Sequence, residues 1–304
     1  MVKWLLKLML RLVALIPFSV LYLISDCLYY LVYYVIRYRR KVVHKNLREC
    51  FPEKTDAERM KIEKGFYRFF VDNILEICKL AYMSKAEMSR RMRFTNIEAV
   101  NSLLREGRSV SMFLGHYGNW EWVSSMPLHL PGEALGVQIY HKLDNESVDS
   151  LMLEMRGRMG ATSVEMRHTA RFITRLKNEG KVCIVGFIAD QSPWRSESHY
   201  SLPFLHHMTP VLTTTEKITK HYDFEAFFLR VIRVKRGYYE AELVKMSDNP
   251  KDLPDYRLTD IYYRMLEKEI IGKPELYLWS HKRFKRARLM NEDEERETAD
   301  KFGL

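Results

Sequence analysis

The sequence predicts an α/β protein in which helices flank a mixed β-sheet, with a membrane-anchoring helix at the N-terminus. From about residue 108 onward, short apolar runs alternate with helical patterns, which is typical of layered α/β domains. Before them, residues 12–36 carry a single charge, Asp26. The chain has 304 residues, 47% apolar and 29% charged, which allows one large core and argues against a protein with many membrane spans.

The N-terminal segment, residues 1–41, has the composition of a membrane anchor. Lys3, Lys7 and Arg11 precede the apolar stretch, and the basic run RYRRK (37–41) follows it. About 20 apolar residues suffice for a span, but Asp26 would cost about 3 kcal/mol at a bilayer centre. The sequence therefore favours a shallow anchor in the headgroup layer, with the basic run on the cytoplasmic side. A full span and a buried core helix stay open.

The following elements are predicted from local signals. Thr55 and Glu58 form a capping box, which starts a helix with an apolar stripe that reaches Ala81. Thr209 and Pro210 indicate the start of another helix, as a cap and first helical residue. The remaining predicted strands cover 109–114, 135–139, 181–188, 224–235 and 238–246, the last two joined as a hairpin, and the remaining helices cover 120–126, 147–158, 169–179 and 259–271.

One catalytic domain is predicted between the anchor and the C-terminus. The chain has no internal repeat and no linker rich in Gly, Ser or Pro. We therefore assign residues 42–290 to that domain and residues 291–304 to a charged, solvated tail.

The charge balance points to an anionic partner. Lys and Arg number 49 against 39 Asp and Glu, a net charge of +10, which suits nucleic acid, anionic lipid, a phosphorylated substrate or an acidic protein. No signature of a nucleic-acid-binding module is present, so we predict no nucleic acid. His199, His206 and His207 lack a metal-binding motif, and the four cysteines fit scattered reduced thiols, so we predict no metal and no cofactor.

The segment FLGHYGNWEW (113–122) is the strongest candidate for a site. It follows a predicted strand and precedes a predicted helix, where α/β sheets place their ligands. His116 and Glu121 are separated by four residues, and they could meet if His116 lies in the turn. Glu121 would then fix the imidazole so that its other nitrogen takes a proton, with backbone amides from Gly118 to Trp120 stabilising an oxyanion. Alternatively, His116 caps a strand end and Glu121 is solvated.

Several motifs resemble those of the late acyltransferases of lipid A biosynthesis. His116 and Glu121 are similar to the HX4(D/E) motif of glycerolipid and lipid A acyltransferases. The flanking blocks that resemble the family, in the same order along the chain, are HKNLR (44–48) with FPE (51–53), HKLDN (141–145) followed by Arg156 and Gly160, ADQS (189–192), and PELYLWSHKRFK (274–285).

The resemblance implies a glycerolipid acyltransferase-like fold and the transfer of an acyl chain from a thioester to a lipid hydroxyl. The donor would be acyl carrier protein or acyl-CoA, and the acceptor a lipid A precursor at the cytoplasmic face of the inner membrane. His116 would be the general base and Glu121 its orienting partner. The other implied catalytic residues are Arg156 and Asp190, and the expected substrate-binding residues are Gly118, Asn119, Lys142, Asn145, Lys282 and Arg283.

Two departures from the family pattern concern the acceptor. The family usually has Arg at the position of Lys142, and a Phe-Gly pair where this chain has Phe204 followed by Leu205. Lys neutralises an anion but offers no bidentate fork, so substrate geometry can differ. The alternatives are an O-acyltransferase for another membrane lipid, such as an aminolipid or a phosphatidylinositol-type glycolipid, or a non-enzymatic membrane-associated binding protein.

Overall fold

The chain folds around two sheets. The computed structural model describes residues 2–194 and 199–302. The strands are β1 (Met92–Thr95), β2 (Val110–Leu114), β3 (Leu135–Tyr140), β4 (Thr162–Glu165), β5 (Cys183–Ile188), β6 (Tyr200–Phe204), β7 (His207–Val211), β8 (Glu225–Lys235), β9 (Tyr238–Lys245) and β10 (Arg288–Leu289).

Helices cover both faces of the larger sheet and form the N-terminus. They are α1 (Val2–Leu15), α2 (Phe18–Tyr30), which continues as a π-helical turn (Leu31–Ile36), α3 (Arg40–Cys50), α4 (Asp56–Leu80), α5 (Lys85–Arg91), α6 (Ile97–Arg105), α7 (Glu146–Gly157), α8 (Thr169–Asn178), α9 (Thr214–Tyr222), α10 (Arg257–Gly272) and α11 (Glu292–Phe302).

The larger sheet has seven strands in the order β1-β9-β8-β2-β5-β3-β4. All neighbours are parallel except the hairpin of β8 and β9. The central strands β2 and β5 are buried along nearly their whole length, as their continuous apolar runs predict for strands covered on both faces. The predicted fold, a mixed sheet flanked by helices, is confirmed, as are the β8–β9 hairpin and the Thr55 capping box.

The prediction of a helix at Thr209 and Pro210 is wrong. Both residues lie in β7, the middle strand of a three-stranded antiparallel sheet in the order β10-β7-β6. The turn between β6 and β7 is made by Leu205 and His206, which adopt positive φ angles of 49° and 62°. Because neither is Gly or Asn, the usual turn signal is missing from the sequence. The helix that follows starts at Thr214 instead.

Two smaller differences concern helix type and the tail. The predicted helix at 120–126 is a 3₁₀ helix, Trp122–His129, which contains Pro127. The tail forms α11, and two of its carboxylates contact the body of the protein. Glu294 pairs with Arg288 and Glu295 with His206, while the remaining described acidic residues of α11 are exposed.

The N-terminal helices pack on α4 through a row of polar residues. Ser25 donates a hydrogen bond to Asp72 at 2.6 Å, and Tyr22 donates one to Glu76 at 2.9 Å. One helical turn further along α4, Lys79 donates to two carbonyl oxygens at the end of α1. These α4 side chains are buried, and the N-terminal helices supply some of the hydrogen-bond partners that their polar groups need.

The outer side of the N-terminal helices is apolar and exposed. The helix Phe18–Ile36 has 19 residues, a mean hydropathy of 1.5 and only 22% of its most apolar window buried. Its length and composition would allow it to cross a membrane, and its exposure excludes the buried core helix. We call the following exposed set the N-terminal apolar face: Trp4, Leu5, Leu8, Met9, Leu12, Leu15, Val20, Leu23, Ile24, Leu31, Val35 and Ile36.

Asp26, the single charge in the apolar segment, has a partner in the folded protein. Arg236, in the turn between β8 and β9, pairs with Asp26 at 2.7 Å and with Asp72 at 2.6 Å. A helix that left this position to cross a membrane would separate Asp26 from its cation. This pairing and the bonds on α4 therefore favour a helix that lies against the protein over one that spans the bilayer.

Candidate active site

His116 and Asp190 are brought together by two neighbouring parallel strands. Leu114 ends β2 and pairs in register with Ile188, which ends β5. His116 and Asp190 each lie two residues beyond these partners, so both side chains emerge at the same edge of the sheet. The Nδ1 of His116 lies 2.7 Å from Oδ1 of Asp190, and the backbone amide of His116 donates to the same oxygen at 3.2 Å.

This geometry makes Asp190 the orienting partner of His116, in the position predicted for Glu121. An N–H at Nδ1 that donates to the carboxylate leaves Nε2 of the neutral ring as the proton acceptor. The side-chain amide of Gln191 lies 3.0 Å from Nε2, and the Trp120 ring contacts the imidazole edge-on at 5.3 Å. His116 thus has the arrangement of a general base with a fixed tautomer.

Asp190 is a buried anion supported by its neighbours. Burial alone raises the pKa of Asp190, but the attraction and hydrogen bonds of His116, with Arg283 behind them, lower it below its ordinary value. Arg283 is 2% exposed and donates hydrogen bonds to Pro210 and Tyr263. The expectation that Arg283 contacts substrate therefore does not fit its burial. It lies in the core, where its charge offsets that of Asp190.

Glu121 makes a bidentate ion pair with Arg156 and is not hydrogen-bonded to His116. The two hydrogen bonds, from Nε and Nη2 of Arg156, measure 2.8 and 2.7 Å. The predicted hydrogen bond between Glu121 and His116 is therefore wrong. The reason is that the 3₁₀ helix after the turn directs Glu121 toward α7, which carries Arg156 near its C-terminus.

A largely apolar cavity of about 610 Å³ adjoins both pairs of residues. His116, Glu121, Arg156 and Gln191 contribute to its wall, and most of the remaining wall is aliphatic. Gly186 on β5 also lies in the cavity wall. A Cβ there would come within 3.1 Å of the end of Met112. A cavity of this size with a few polar groups at one end suits a long apolar ligand with a polar head.

Gly118 and Asn119 are structural in this arrangement. The Gly118 amide donates to the Leu276 carbonyl at 3.0 Å, so it is not free for an oxyanion. Gly118 also has a φ of 62° and lies against Val231, which explains why glycine is needed. Asn119 is fully buried and donates to Glu76 at 2.9 Å. The expectation that these two residues bind substrate does not fit their positions.

The other expected substrate contacts differ in position. Asn145 is the N-cap of α7, where its side-chain oxygen accepts the amides of Ser147 and Val148. Its amide oxygen is used in the cap, while the residue is exposed, so its contact with substrate stays a prediction. Lys142 and Lys282 are exposed.

In the part of the chain that the structure describes, no cluster of three His, Cys, Asp or Glu residues could hold a metal ion.

Sequence reasoning missed two features of the site. Gln191 was not assigned, although it directly follows Asp190 at the end of a predicted strand. Tyr262 and Tyr263 on α10 donate hydrogen bonds to the carbonyls of Leu114 and Ala189, at 2.9 Å each, and so hold the ends of β2 and β5. No sequence motif indicates this contact.

The family model for bacterial lipid A biosynthesis acyltransferases matches residues 1–286. The chain belongs to this family. Over 261 residues it is 26% identical to the lipid A biosynthesis palmitoleoyltransferase of Escherichia coli (strain K12), covering 82% of this chain and 80% of that protein. Over 283 residues it is 24% identical to the lipid A biosynthesis lauroyltransferase of the same organism, covering 90% and 88%. The predicted resemblance is confirmed, and the protein is an acyltransferase.

His281 of this acyltransferase is expected to make its stability depend on pH. Burial, the largest influence, lowers the pKa of His281 to about 4. In the unfolded chain a His titrates near 6.5. Between these values the unfolded state binds more protons, so stability is full above pH ~6.5 and is lost as the pH falls toward ~4.

The measurement compares thermal unfolding of wild type and His281→Gln at pH 7 and pH 5. On acidification, the melting temperature of wild type should fall further than that of His281→Gln. The control His221→Gln, at an exposed His, should show the same fall as wild type. Equal pH dependence in wild type and His281→Gln would contradict the expectation.

Proposed function

We propose that this acyltransferase transfers a fatty acyl chain from an acyl thioester to a hydroxyl group of a lipid A precursor. The observation that carries the proposal is the His116–Asp190 pair in the wall of an apolar cavity of about 610 Å³. The pair supplies a base, and the cavity suits an acyl chain. The acceptor follows from the family and from the relatives, which are named for acyl transfer in lipid A biosynthesis.

In the proposed reaction, Nε2 of His116 removes the proton from the acceptor hydroxyl as its oxygen attacks the thioester carbonyl carbon. The hydroxyl takes the place of the Gln191 amide at Nε2. The tetrahedral intermediate then collapses and its C–S bond breaks, while the imidazolium returns the proton to the leaving thiolate. Asp190 keeps the ring in the right tautomer and stabilises the imidazolium.

We assign Arg156 and Glu121 to substrate positioning. Glu121 occupies Nε and Nη2 of Arg156, and Nη1 has no hydrogen-bond partner among the described residues. The guanidinium lines the cavity, so Nη1 can donate to the substrate while Glu121 fixes its direction. A donor on the polarised carbonyl oxygen would lower the barrier by stabilising the developing negative charge.

The proposed donor is an acyl carrier protein, with acyl-CoA as the alternative. The net charge of +10 suits an acidic partner. Lys282 and Lys285 are exposed on the segment whose Leu278 amide bonds to the His116 carbonyl. Arg286 on the same segment donates to the Pro193 carbonyl, and Pro193 lines the cavity. A basic surface thus lies beside the site.

The N-terminal apolar face supports a location at a membrane surface. Its exposed side chains would lie in the headgroup and upper acyl region, with the basic run at 37–41 beside anionic headgroups. We propose the cytoplasmic face of the inner membrane, with residues 1–41 as an interfacial anchor, 42–290 as the catalytic domain and 291–304 as a charged tail.

The second candidate acceptor is another membrane lipid, such as an aminolipid or a phosphatidylinositol-type glycolipid. The exposed Lys142, where the family usually has Arg, motivates this candidate, because a Lys neutralises an anion without the bidentate fork of Arg, and the substrate geometry can differ. A non-enzymatic binding protein is excluded by membership of the family.

A lipid mass spectrum of a deletion strain tests the acceptor. We expect lipid A that lacks one acyl chain, and the mass difference also names the chain. Purified enzyme should restore it in membranes supplied with acyl carrier protein thioester. Unchanged lipid A together with a missing acyl chain on another lipid would overturn the first acceptor and support the second.

The cavity predicts that Gly186→Val shifts the preference toward shorter acyl chains. A Cβ at Gly186 would lie 3.1 Å from the end of Met112, so that side chain must shift, and the valine would take up space at the cavity wall. The measurement is the relative rate with acyl donors of increasing length. Gly132→Val, at an exposed glycine with open space around it, is the control and should keep the wild-type preference. An unchanged preference in Gly186→Val would mean that the chain lies elsewhere.

A further inference from the structure

Glu76 occupies a central position between the N-terminal helix and the loop that carries His116. It lies on α4 and is completely buried. Tyr22 of α2 donates to Oε1 at 2.9 Å, while Tyr239 of β9 donates to Oε2 at 2.7 Å. Asn119 donates to Oε2 at 2.9 Å. One carboxylate therefore joins the N-terminal helix, the sheet and the active-site loop.

Asn119 connects Glu76 to the loop in two ways. Its amide nitrogen donates to Glu76, and its amide oxygen accepts the backbone N–H of Trp122 at 3.2 Å. The Trp122 ring nitrogen in turn donates to the Glu76 backbone carbonyl at 3.1 Å. Asn119 and Trp122 thus fix the start of the 3₁₀ helix, two residues before and one residue after Glu121.

The opposite side of the loop is held by residues 276–278. The Gly118 amide donates to the Leu276 carbonyl, and the Leu278 amide donates to the His116 carbonyl at 3.1 Å. The loop is therefore hydrogen-bonded on two sides, to Glu76 and to residues 276–278. Of these two, Glu76 is the one that α2 contacts, through Tyr22. Since the outer side of that helix forms the N-terminal apolar face, Tyr22 connects this surface to the site.

We propose that Glu76 is a positioning residue that couples the seating of α2 on α4 to the geometry of the His116 loop. The inference rests on the proposed acyl transfer, since it concerns the same loop. Loss of the Tyr22 hydrogen bond would leave one carboxylate oxygen unpaired and let Glu76 shift. Asn119 and the loop would follow, and the distance from His116 to the substrate would change.

Tyr22→Phe tests the coupling, with Tyr33→Phe as its matched control. Each removes one hydroxyl through which the N-terminal segment bonds to a buried glutamate of α4, since Tyr33 donates to Glu63 at 3.1 Å. Only Tyr22 reaches the loop, through Glu76. We expect kcat to fall between about tenfold and a hundredfold in Tyr22→Phe with KM almost unchanged, and to stay near wild type in Tyr33→Phe.

Glu76 itself is tested by comparing Glu76→Gln with Glu76→Leu. The glutamine oxygen can accept from Asn119 and Tyr239, and its amide can donate to the Tyr22 hydroxyl, so Gln should preserve most of kcat. Leucine can form none of the side-chain hydrogen bonds of Glu76, so Glu76→Leu should lose most of kcat. Wild-type kcat in both Tyr22→Phe and Glu76→Leu, or equal losses in Tyr22→Phe and Tyr33→Phe, would overturn the proposal.

Hydrogen–deuterium exchange separates this inference from the proposed function. Amides of residues 116–122 should exchange faster in Tyr22→Phe than in Tyr33→Phe, whether or not any acyl chain is transferred. If wild type fails to acylate any acceptor while this difference in exchange is present, the proposed function fails and the positioning role stands. If wild type is active and exchange in the loop is unchanged in Tyr22→Phe, the positioning role is wrong.

Discussion

Replacement of His116 by Ala is expected to lower acyl transfer by about a thousandfold or more while the protein stays folded. Positioned general bases contribute between about 10²- and 10⁴-fold to rate. In His116, Nε2 is the proton acceptor, and the Asp190 carboxylate orients the ring through Nδ1. Its side chain is mostly buried against Trp120 at the cavity wall, so truncation leaves a small space without opening the core. The measurement is the initial rate with purified enzyme, acyl donor and lipid acceptor.

The control for His116→Ala is His221→Ala. His221 is exposed on α9 and outside the cavity, so its loss should leave the rate unchanged. Far-ultraviolet circular dichroism of both variants should match wild type. If His116→Ala retains wild-type activity, His116 is not the base, and the proposed mechanism is wrong whichever lipid is the acceptor.

The larger sheet could be predicted because its strands are encoded locally. The central strands are short apolar runs bounded by turn residues, and β8 and β9 are joined by Gly237, which adopts the positive φ that a tight turn requires. The β6–β7 hairpin could not be predicted, because its turn is made by Leu205 and His206, residues that rarely adopt positive φ. The conformation of this turn is decided by the pairing of β6 with β7 and not by the residue types in the turn.

Only part of the site could be predicted from the sequence, because its central contact depends on the order of the strands. His116 and Glu121 are close in the sequence, and sequence distance suggested that they form a pair. The pair that forms, His116 with Asp190, depends on which strands are neighbours, and strand order is a property of the whole fold. The sequence does contain a signal for Asp190 as the partner of His116. His116 and Asp190 both follow apolar strand candidates, and the carboxyl ends of parallel strands meet at one edge of a sheet.

Asp190→Asn is expected to lower kcat between about 10²- and 10⁴-fold, because the same exchange in a histidine–aspartate pair presents the wrong tautomer. The Asn amide can donate to Nδ1, which would leave the proton on Nε2, where the substrate hydroxyl needs an acceptor. KM should change little, since Asp190 is buried and does not reach the cavity wall.

The double variant His116→Ala/Asp190→Asn distinguishes this role from general destabilisation, since Asp190→Asn also leaves the buried Arg283 without its nearby carboxylate. Residues that act as a unit are not additive, so the double variant should be no slower than His116→Ala alone. Glu121→Gln should instead raise KM and lower kcat less than Asp190→Asn does, because it releases Arg156 from its bidentate pair while leaving His116 oriented. If Glu121→Gln lost kcat as Asp190→Asn is expected to, with Asp190→Asn near wild type, Glu121 would be the orienting partner after all. The ligand-free contact of His116 with Asp190 would then have to rearrange when substrate binds.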